Sequence, residues 1–349
     1  MSFIEEVGQQ SNALKELVNY YTNSEGNKLL NKIPELISPK TTRSLIFIGM
    51  GTSCFAPLII RDILVTKTKI VPSIWDAGEF LHYAINSVTN NDVVIAISQS
   101  GESIETKKCV ERLKKHSRII SITNNSESSI AKYSELSLPI LAGNEVSISN
   151  KTYTNTLAIL LLLCNKIVGL PVTRLMTHFI KCADEMNNFF INRKDEIKGA
   201  SKFLKSATYL HFIARGPVSV SAMQCSLTWM EGVGISATAF TGGSFRHGPF
   251  ELTGRNHYAV CFIPEGHNGI LIEKLVRDMS ESGSKIVVFT AKKIRAESNI
   301  YSIEVSPGLE RIFPITVAVP HELLLAYMAQ DRGLVPGKFR KCSKITTVE

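Results

Sequence analysis

An apolar run that changes abruptly into a serine-rich loop is the feature that most constrains how this chain can fold. Residues 93–97 are all apolar and mostly β-branched, which is typical of a buried strand. The loop that follows reads Ser98-Gln99-Ser100-Gly101-Glu102-Ser103, and residues 104–115 show the spacing of an amphipathic helix. This order of elements can bind an oxyanion, because backbone N–H groups and the helix dipole point at the loop.

The serine side chains make a phosphate the expected anion. Ser98, Ser100 and Ser103 add hydroxyl donors, and the loop lacks the lysine of a P-loop. A phosphate on a small molecule therefore suits the loop better than a nucleoside triphosphate. An ordinary strand–helix turn with a serine cap would show the same residues, so the loop by itself leaves both interpretations open.

Predicted strands alternate with predicted helices in both halves of the chain. The strands are predicted at residues 44–48, 70–74, 93–97, 118–122 and 135–139, then at 209–214, 258–263, 285–289 and 300–305. Helices of ten or more residues between strands indicate parallel sheets with helices on both faces. We therefore predict an α/β protein in which one doubly wound unit occurs twice in tandem, a size that 349 residues can support.

The predicted boundaries divide the chain into five segments. They are an N-terminal helical arm over 1–34, a first domain over 35–170, a helical connector over 171–204, a second domain over 205–330 and a tail over 331–349. The second domain has Ile263-Pro264-Glu265-Gly266-His267-Asn268 where the first has its serine loop. Hydroxyls are replaced there by a carboxylate, which predicts one phosphate pocket per chain.

Charge, cysteine and hydropathy patterns exclude several classes of protein. The net charge of +8 comes from scattered lysines and arginines without interleaved aromatic residues, which favours small anions over nucleic acid. The seven cysteines form no CxxC pair and the histidines show no metal-ligand spacing, which indicates a reducing compartment without disulfides or zinc. The chain opens without a signal peptide, and the apolar stretch 157–163 is too short to cross a membrane. We expect a cytoplasmic protein without metal or cofactor.

Two side chains in the second half are candidates for proton transfer. Glu231 ends an apolar predicted helix, and His247 stands beside a glycine and a proline in a loop. A carboxylate and an imidazole are suited to moving protons near neutral pH. Each also has an ordinary structural interpretation, a surface residue at a helix end and a loop histidine. Cys54, at a glycine turn, is interpreted as a small buried residue and not as a nucleophile.

Several motifs in order resemble the sugar isomerase (SIS) family. They are Gly51-Thr52-Ser53, Ser98-Gln99-Ser100-Gly101-Glu102, Ala142-Gly143-Asn144-Glu145 followed by Lys151, His247-Gly248-Pro249, and Lys344-Ile345-Thr346-Thr347-Val348-Glu349. The resemblance covers residues 35–349 and is strongest to the tandem-SIS isomerase domain of glutamine–fructose-6-phosphate aminotransferase and to fructosamine-6-phosphate deglycases. It implies two SIS domains and a sugar phosphate as the small-molecule partner.

The resemblance also implies a role for each matched residue. The sugar phosphate and its nearest hydroxyls would be held by Gly51, Thr52, Ser53, Ser98, Gln99, Ser100 and Ser103, and Ser149 matches a substrate-contacting serine. Glu231 matches the base that moves a proton between C1 and C2. His247 matches a ring-opening histidine that enters a neighbouring subunit's site, which implies a homodimer or a higher homo-oligomer with shared active sites. Lys344 matches a terminal lysine that forms an imine or pairs with the substrate, and the tail would form a lid.

Departures from the family pattern bear on which reaction is expected. Thr228 replaces an assisting lysine, Ser244 replaces an acidic residue, and the chain goes from Met1 directly to the SIS unit without a glutaminase domain. These changes favour a deglycase that releases hexose 6-phosphate and an amine from an amino-acid–sugar 6-phosphate conjugate. The alternatives are an aldose–ketose isomerase or a glucosamine-6-phosphate deaminase. A non-catalytic sugar-phosphate sensor is a further alternative, against which stand Glu231, His247 and the lack of a helix-turn-helix segment before residue 40.

Overall fold

The computed structural model describes residues 1–295, 297–341 and 343–344. The chain folds as two compact units, each with one five-stranded sheet. The first-sheet unit contains residues 12–145 and 151–179 with Ser343 and Lys344. The second-sheet unit contains the described residues of 1–11, 146–150 and 180–341. The predicted α/β class with two parallel sheets is confirmed.

Helices and strands alternate along the described residues. The helices are α1 (Phe3–Gly8), α2 (Gln10–Thr22), α3 (Ser24–Leu36), α4 (Thr52–Phe55), α5 (Leu58–Thr68), α6 (Ala77–Glu79), α7 (Ile104–Leu113), α8 (Ser129–Lys132), α9 (Lys151–Ile167), α10 (Thr173–Asn192), α11 (Lys194–Phe203), α12 (Ser219–Gly232), α13 (Gly242–Arg246), α14 (His267–Glu281), α15 (Phe313–Thr316) and α16 (Ala318–Asp331). The strands are β1 (Ser44–Gly49), β2 (Ser73–Asp76), β3 (Asp92–Ile97), β4 (Arg118–Thr123), β5 (Leu136–Pro139), β6 (Tyr209–Ala214), β7 (Ser236–Thr241), β8 (Tyr258–Ile263), β9 (Lys285–Thr290) and β10 (Ile300–Glu304). None of the described helices combines the length and the hydropathy needed to cross a membrane.

Both sheets have the same strand order. The first is β2-β1-β3-β4-β5 and the second, read from its β7 edge, is β7-β6-β8-β9-β10, with every neighbouring pair parallel. In chain order within each unit this is 2-1-3-4-5. The central strands β3 and β8 are buried at every residue, which explains the continuous apolar sequences over 93–97 and 258–263. The direction of strand addition reverses beside β1 and β6, where ligands bind in such sheets.

Proline and edge positions account for the elements that were predicted wrongly. The second strand was predicted at 70–74 but is Ser73–Asp76, because Pro72 cannot donate a ladder hydrogen bond and the strand begins after it. Between β1 and β2, Pro57 separates the short helix α4 from α5. Strand β7 was not predicted, because it lies at a sheet edge and only one of its six residues is buried, so its sequence shows no apolar run.

Candidate functional site

In the first-sheet unit, two of the predicted loops lie at the same edge of the sheet. Strands β1 and β3 are neighbours, with Ile48 opposite Ala96. The loops that follow them, residues 50–53 and 98–103, therefore leave the carboxyl edge side by side. Gly51 has a positive φ of 51° and lets the chain turn directly into α4, which begins at Thr52. The structure thus brings Gly51, Thr52 and Ser53 into the neighbourhood of the serine loop.

The serine loop is shaped by its own hydroxyls. The Oγ atoms of Ser98 and Ser103 lie 3.1 Å apart, and Ser98 Oγ also accepts the Gly101 N–H at 3.1 Å. Ser100 Oγ accepts the Glu102 N–H at 3.1 Å. Gly101 has φ of +67°, and a Cβ there would lie 2.1 Å from Ser128 Oγ, so only glycine fits. Ser98 is buried, whereas Gln99, Ser100 and Ser103 are partly exposed at the loop.

Glu102 fastens this loop to the neighbouring helix. Its carboxylate accepts the Ser129 N–H at 2.7 Å and the Ser129 hydroxyl at 3.0 Å, at the start of α8. It also pairs with Lys107 at 3.1 Å. The Ser129 backbone hydrogen bond is the largest cause that lowers the pKa of Glu102. The glutamate of the loop motif therefore has a structural explanation.

The start of α7 is suited to binding an anion. Ser103 is the N-cap residue, but its hydroxyl does not accept a hydrogen bond from the helix. The Lys107 N–H donates to Ser103 O at 2.9 Å, and the N–H groups of residues 104–106 precede this first helical bond. The aligned peptide dipoles of the ten-residue helix α7 place partial positive charge at these N–H groups. An anion at the loop would meet backbone and hydroxyl donors together.

Lys344 pairs with a buried carboxylate in the same unit. Its Nζ lies 2.6 Å from Glu145 Oε1, and the Glu145 side chain has no exposed surface. Glu145 also accepts the Thr152 N–H at 3.0 Å and the Thr152 hydroxyl at 2.8 Å, at the start of α9. Lys151 Nζ donates to the Asn144 carbonyl at 2.6 Å. In this structure the Lys344 ammonium is thus ion-paired within the protein. Residues 345–349 of the terminal motif lie outside the described residues.

In the second-sheet unit, Glu231 faces a cavity near the end of α12. The cavity has a volume of about 590 Å³ and is lined by Met230, Glu231, Gly234, Ile235, Ser236, Phe339, Arg340 and Lys341. Gly234 has φ of +69°, and a Cβ there would lie 2.3 Å from the Arg340 guanidinium. The absence of a side chain at Gly234 therefore lets the described part of the tail pack close to the candidate base.

Ser149 and His247 belong to this unit as well. The carbonyl of Ser149 accepts a hydrogen bond from Gln224 Nε2 on α12 at 3.4 Å. His247 is exposed and follows α13, and its N–H donates to Ser244 O at 3.2 Å. Gly248, with φ of +120°, turns the chain away directly after it. Ser149 is thus tied to the helix of Glu231, while His247 is presented at the surface.

The two residues that depart from the family pattern are satisfied locally. Thr228 is buried, and its hydroxyl donates to the Gln224 carbonyl at 2.9 Å within α12. The Ser244 N–H donates to Thr241 Oγ1 at 3.1 Å in the cap of α13. The Thr228 hydroxyl therefore has a structural use that a lysine would not fill, whereas the Ser244 cap hydrogen bond uses the backbone and is available to any residue.

Burial sets the protonation of two further titratable side chains, Cys54 and His321. Burial, with a smaller contribution from Asp76, raises the pKa of Cys54 to about 11, so the thiol stays protonated at neutral pH. Burial lowers the pKa of His321 to about 3. Within the described residues, no group of three or more His, Cys, Asp or Glu side chains is placed to hold a metal ion. The six described cysteines are free thiols.

Two buried carboxylates were missed as candidates for the site. Glu145 was noted within a motif but was assigned no partner, although an acidic residue shortly before a predicted helix is a capping signal. Glu6 lies in the N-terminal helix α1 and accepts hydrogen bonds from residues 146–150. Its sequence context gave no such signal, because the partners are about 140 residues away.

Comparison with known proteins identifies the class. Residues 40–166 match the family model described as SIS domain. The first sheet lies within these residues, so the first-sheet unit contains an SIS domain. It is similar to glutamine–fructose-6-phosphate aminotransferases, with 30% identity over 310 residues to that of Methanocaldococcus jannaschii, covering 87% of this chain and 28% of the relative. To that of Thermococcus kodakarensis it is 25% identical over 358 residues, covering 99% and 58%. The chain spans 28 to 58% of the length of these relatives.

Solved structures share the fold over nearly the whole chain. The C-terminal domain of glucosamine-fructose-6-phosphate aminotransferase from Francisella tularensis superposes with a TM-score of 0.81 at 20% identity, covering 97% of this chain and 98% of that one. Tagatose-6-phosphate ketose/aldose isomerase from Escherichia coli gives 0.81 at 16% identity, covering 99% and 97%. Glucosamine-6-phosphate deaminase from Thermotoga maritima gives 0.77 at 20% identity, covering 99% of both.

Proposed function

We propose that both sheets are doubly wound SIS domains and that the first binds the phosphate of a hexose 6-phosphate. The observation that carries this proposal is the start of α7, where uncapped backbone N–H groups and the serine hydroxyls meet at the carboxyl edge of the sheet. The named relatives act on sugar 6-phosphates, which agrees with a phosphosugar as the ligand. Thr52, Ser53, Gln99 and Ser100 complete the proposed set of donors.

Glu231 is the proposed base that moves a proton between C1 and C2 of the open-chain sugar. A carboxylate lining a cavity of this size can reach a bound hexose, whereas a helix-end glutamate without a cavity could not. The names of the similar proteins include an aminotransferase, a deaminase and an isomerase, and all three reactions change the bonding at these two carbons. His247 is exposed on its own unit and is proposed to serve the site of a second copy of the chain.

The favoured reaction is deglycation of an amino-acid–sugar 6-phosphate conjugate. In a fructosamine-type conjugate, the base removes a proton from C1, next to the C2 carbonyl, and a proton returns to C2, which gives an imine at C1. Water adds to this imine, the C1–N bond breaks, and hexose 6-phosphate and the free amine are released. Thr228 and Ser244 support this choice over amination, because both are uncharged where the aminotransferase pattern has charged residues. Lys344 is proposed to act as a cation near the sugar, since the structure holds its ammonium against Glu145.

A substrate panel tests the reaction. Purified protein is incubated separately with fructoselysine 6-phosphate, glucoselysine 6-phosphate, glucosamine 6-phosphate and fructose 6-phosphate, and glucose 6-phosphate, free lysine and ammonia are quantified. Release of lysine with glucose 6-phosphate supports the deglycase. Ammonia from glucosamine 6-phosphate alone would make the protein a deaminase, and interconversion of plain sugar phosphates alone would make it an isomerase. Binding without turnover would favour a sensor.

Glu231→Gln tests the role of the base. Loss of a positioned base should lower kcat by about 10²–10⁴-fold while the Kd for the sugar phosphate changes little. Glu281→Gln is the matched control, because Glu281 is also a carboxylate at the end of a helix in the same unit, but it is exposed and does not line the cavity that Glu231 faces. Unchanged turnover in Glu231→Gln would contradict the assignment.

A further inference from the structure

A buried carboxylate in the first helix holds the segment that contains Ser149. Glu6 has no exposed surface although it lies only six residues from the start of the chain. It accepts the Val146 N–H at 2.7 Å, the Ser147 N–H at 3.2 Å and Asn150 Nδ2 at 3.1 Å. The Ser147 hydroxyl donates to it as well. Four donors from five consecutive residues therefore converge on one side chain.

These hydrogen bonds keep Glu6 ionised. Burial by itself would raise the pKa of the carboxylate, but the hydrogen bonds from Ser147, Val146 and Asn150 lower it overall. A buried negative charge with several donors is tolerated because each donor is oriented at it. The geometry of residues 146–150 thus depends on a charge that is supplied from another element of the same unit.

The same segment is tied to two further parts of the second-sheet unit. The Ile148 N–H donates to the Gly337 carbonyl at 3.2 Å, which joins the segment to the described part of the tail. The Ser149 carbonyl accepts from Gln224 on α12, the helix that contains Glu231. Any change in how Glu6 holds residues 146–150 would therefore alter the position of Ser149 relative to Glu231.

We propose that Glu6 is a positioning residue that fixes residues 146–150, and with them Ser149, against the helix of the catalytic base. The expected effect of Glu6 on turnover rests on the proposed function, whereas its effect on the position of residues 146–150 does not. Glutamine has the same size as glutamate but only one side-chain oxygen and no charge, so it cannot accept all four hydrogen bonds. A displacement of about 1 Å at a substrate contact can lower turnover by roughly 10²-fold.

The test compares neighbouring carboxylates on one helix. Glu6→Gln should lower kcat/KM by about 10–100-fold and speed deuterium exchange at the Val146 and Ser147 amides by at least about tenfold. Glu5→Gln is the matched control: Glu5 is exposed in the first turn of α1, where it accepts the Ser2 N–H at 2.7 Å. It should leave turnover and exchange at both amides unchanged. Assays are run well below the unfolding temperature of each variant.

A second variant guards against loss of folding. Ser147→Ala removes one donor from the same carboxylate and should produce a smaller change of the same kind. In the double variant the effects should be less than additive, because both substitutions act on one network. Normal kcat/KM in folded Glu6→Gln, or unchanged exchange at both amides, would overturn the proposal. If wild-type protein cleaves no conjugate, the proposed function fails, and Glu6 is judged by amide exchange and by its effect on the Kd for glucose 6-phosphate.

Discussion

Replacing Lys344 by methionine should destabilise the protein more than replacing Glu145 by glutamine, although both changes break the same ion pair. The Glu145 side chain has no exposed surface, whereas 21% of the Lys344 side chain is exposed. Lys344→Met leaves a carboxylate buried without its cation. Glu145→Gln leaves an ammonium on a flexible stem that can turn towards water. The two variants therefore differ in which charge is left behind.

The expected magnitudes follow from burial and from the hydrogen bonds that remain. Removing one partner of a buried pair typically costs about 3–5 kcal/mol. The two Thr152 hydrogen bonds to Glu145 persist in Lys344→Met and offset part of this, so we expect about 2–4 kcal/mol. In Glu145→Gln one oxygen can still accept from Thr152, and the partly exposed lysine can turn its ammonium towards water. The loss of negative charge at the start of α9 costs about 0.3–1 kcal/mol more. We expect about 1–2 kcal/mol for that variant.

Urea unfolding of the four proteins of a double-mutant cycle measures these differences. The double variant removes both charges and should be no less stable than Lys344→Met, which gives a coupling free energy of about 1–3 kcal/mol. Two spectroscopic probes are needed, because a chain with two units need not unfold in one step. Lys344→Met equal to or milder than Glu145→Gln, or strict additivity, would refute the reasoning.

Two further predictions concern one unit each. Gly101→Ala places a Cβ 2.1 Å from Ser128 Oγ at φ +67° and should weaken binding of glucose 6-phosphate at least about tenfold, as measured by calorimetry. The control is Gly143→Ala, at φ +62° with no atom within 4 Å, which should cost only the backbone strain of about 1 kcal/mol. Equal effects on binding would contradict the role of the loop. Burial and His211 lower the pKa of His257 to about 4, below its ordinary value of 6.5. The contribution of neutral His257 to the free energy of unfolding should therefore be fully present above about pH 6.5, and about 3 kcal/mol of it should be lost as the pH falls to 4. Unfolding of His257→Gln should lose this slope, and an unchanged slope would assign it to other groups.

Elements with a continuous apolar sequence were predictable, and those whose position depends on neighbours were not. The strand predicted at 258–263 is β8, and all six of its residues are buried. Such a run is typical of a strand in a parallel sheet that is covered on both faces. Strand β7 reads Ser-Ala-Thr-Ala-Phe-Thr, which shows no clear strand pattern. It is a strand because its backbone forms hydrogen bonds with β6. The start of β2 was predicted too early, because an apolar pair precedes Pro72 and the strand begins only after this proline.

The site divides in the same way between local and distant contacts. The Ser98–Ser103 contact spans five residues and follows from a single loop. The Lys344–Glu145 pair spans 199 residues, and the hydrogen bond from Val146 to Glu6 spans 140. Periodicity and local motifs carry no information about such pairs. Only the folded chain shows which buried carboxylate each donor meets, so the charged partners of a site are harder to predict than its loops.

The comparison of the two sheets shows why one strand order need not give one chemistry. The loop after β8 is the topological counterpart of the serine loop, since each follows the third strand of a 2-1-3-4-5 sheet. In the second sheet, however, the Glu265 N–H donates to Gly308 O at 2.8 Å and Asn268 Nδ2 donates to Glu310 at 2.6 Å. Donors that would otherwise face a ligand are engaged by the protein, and a carboxylate lies beside the start of α14. An anion would be repelled there, which supports the proposal that the phosphate of a sugar phosphate binds in the first-sheet unit.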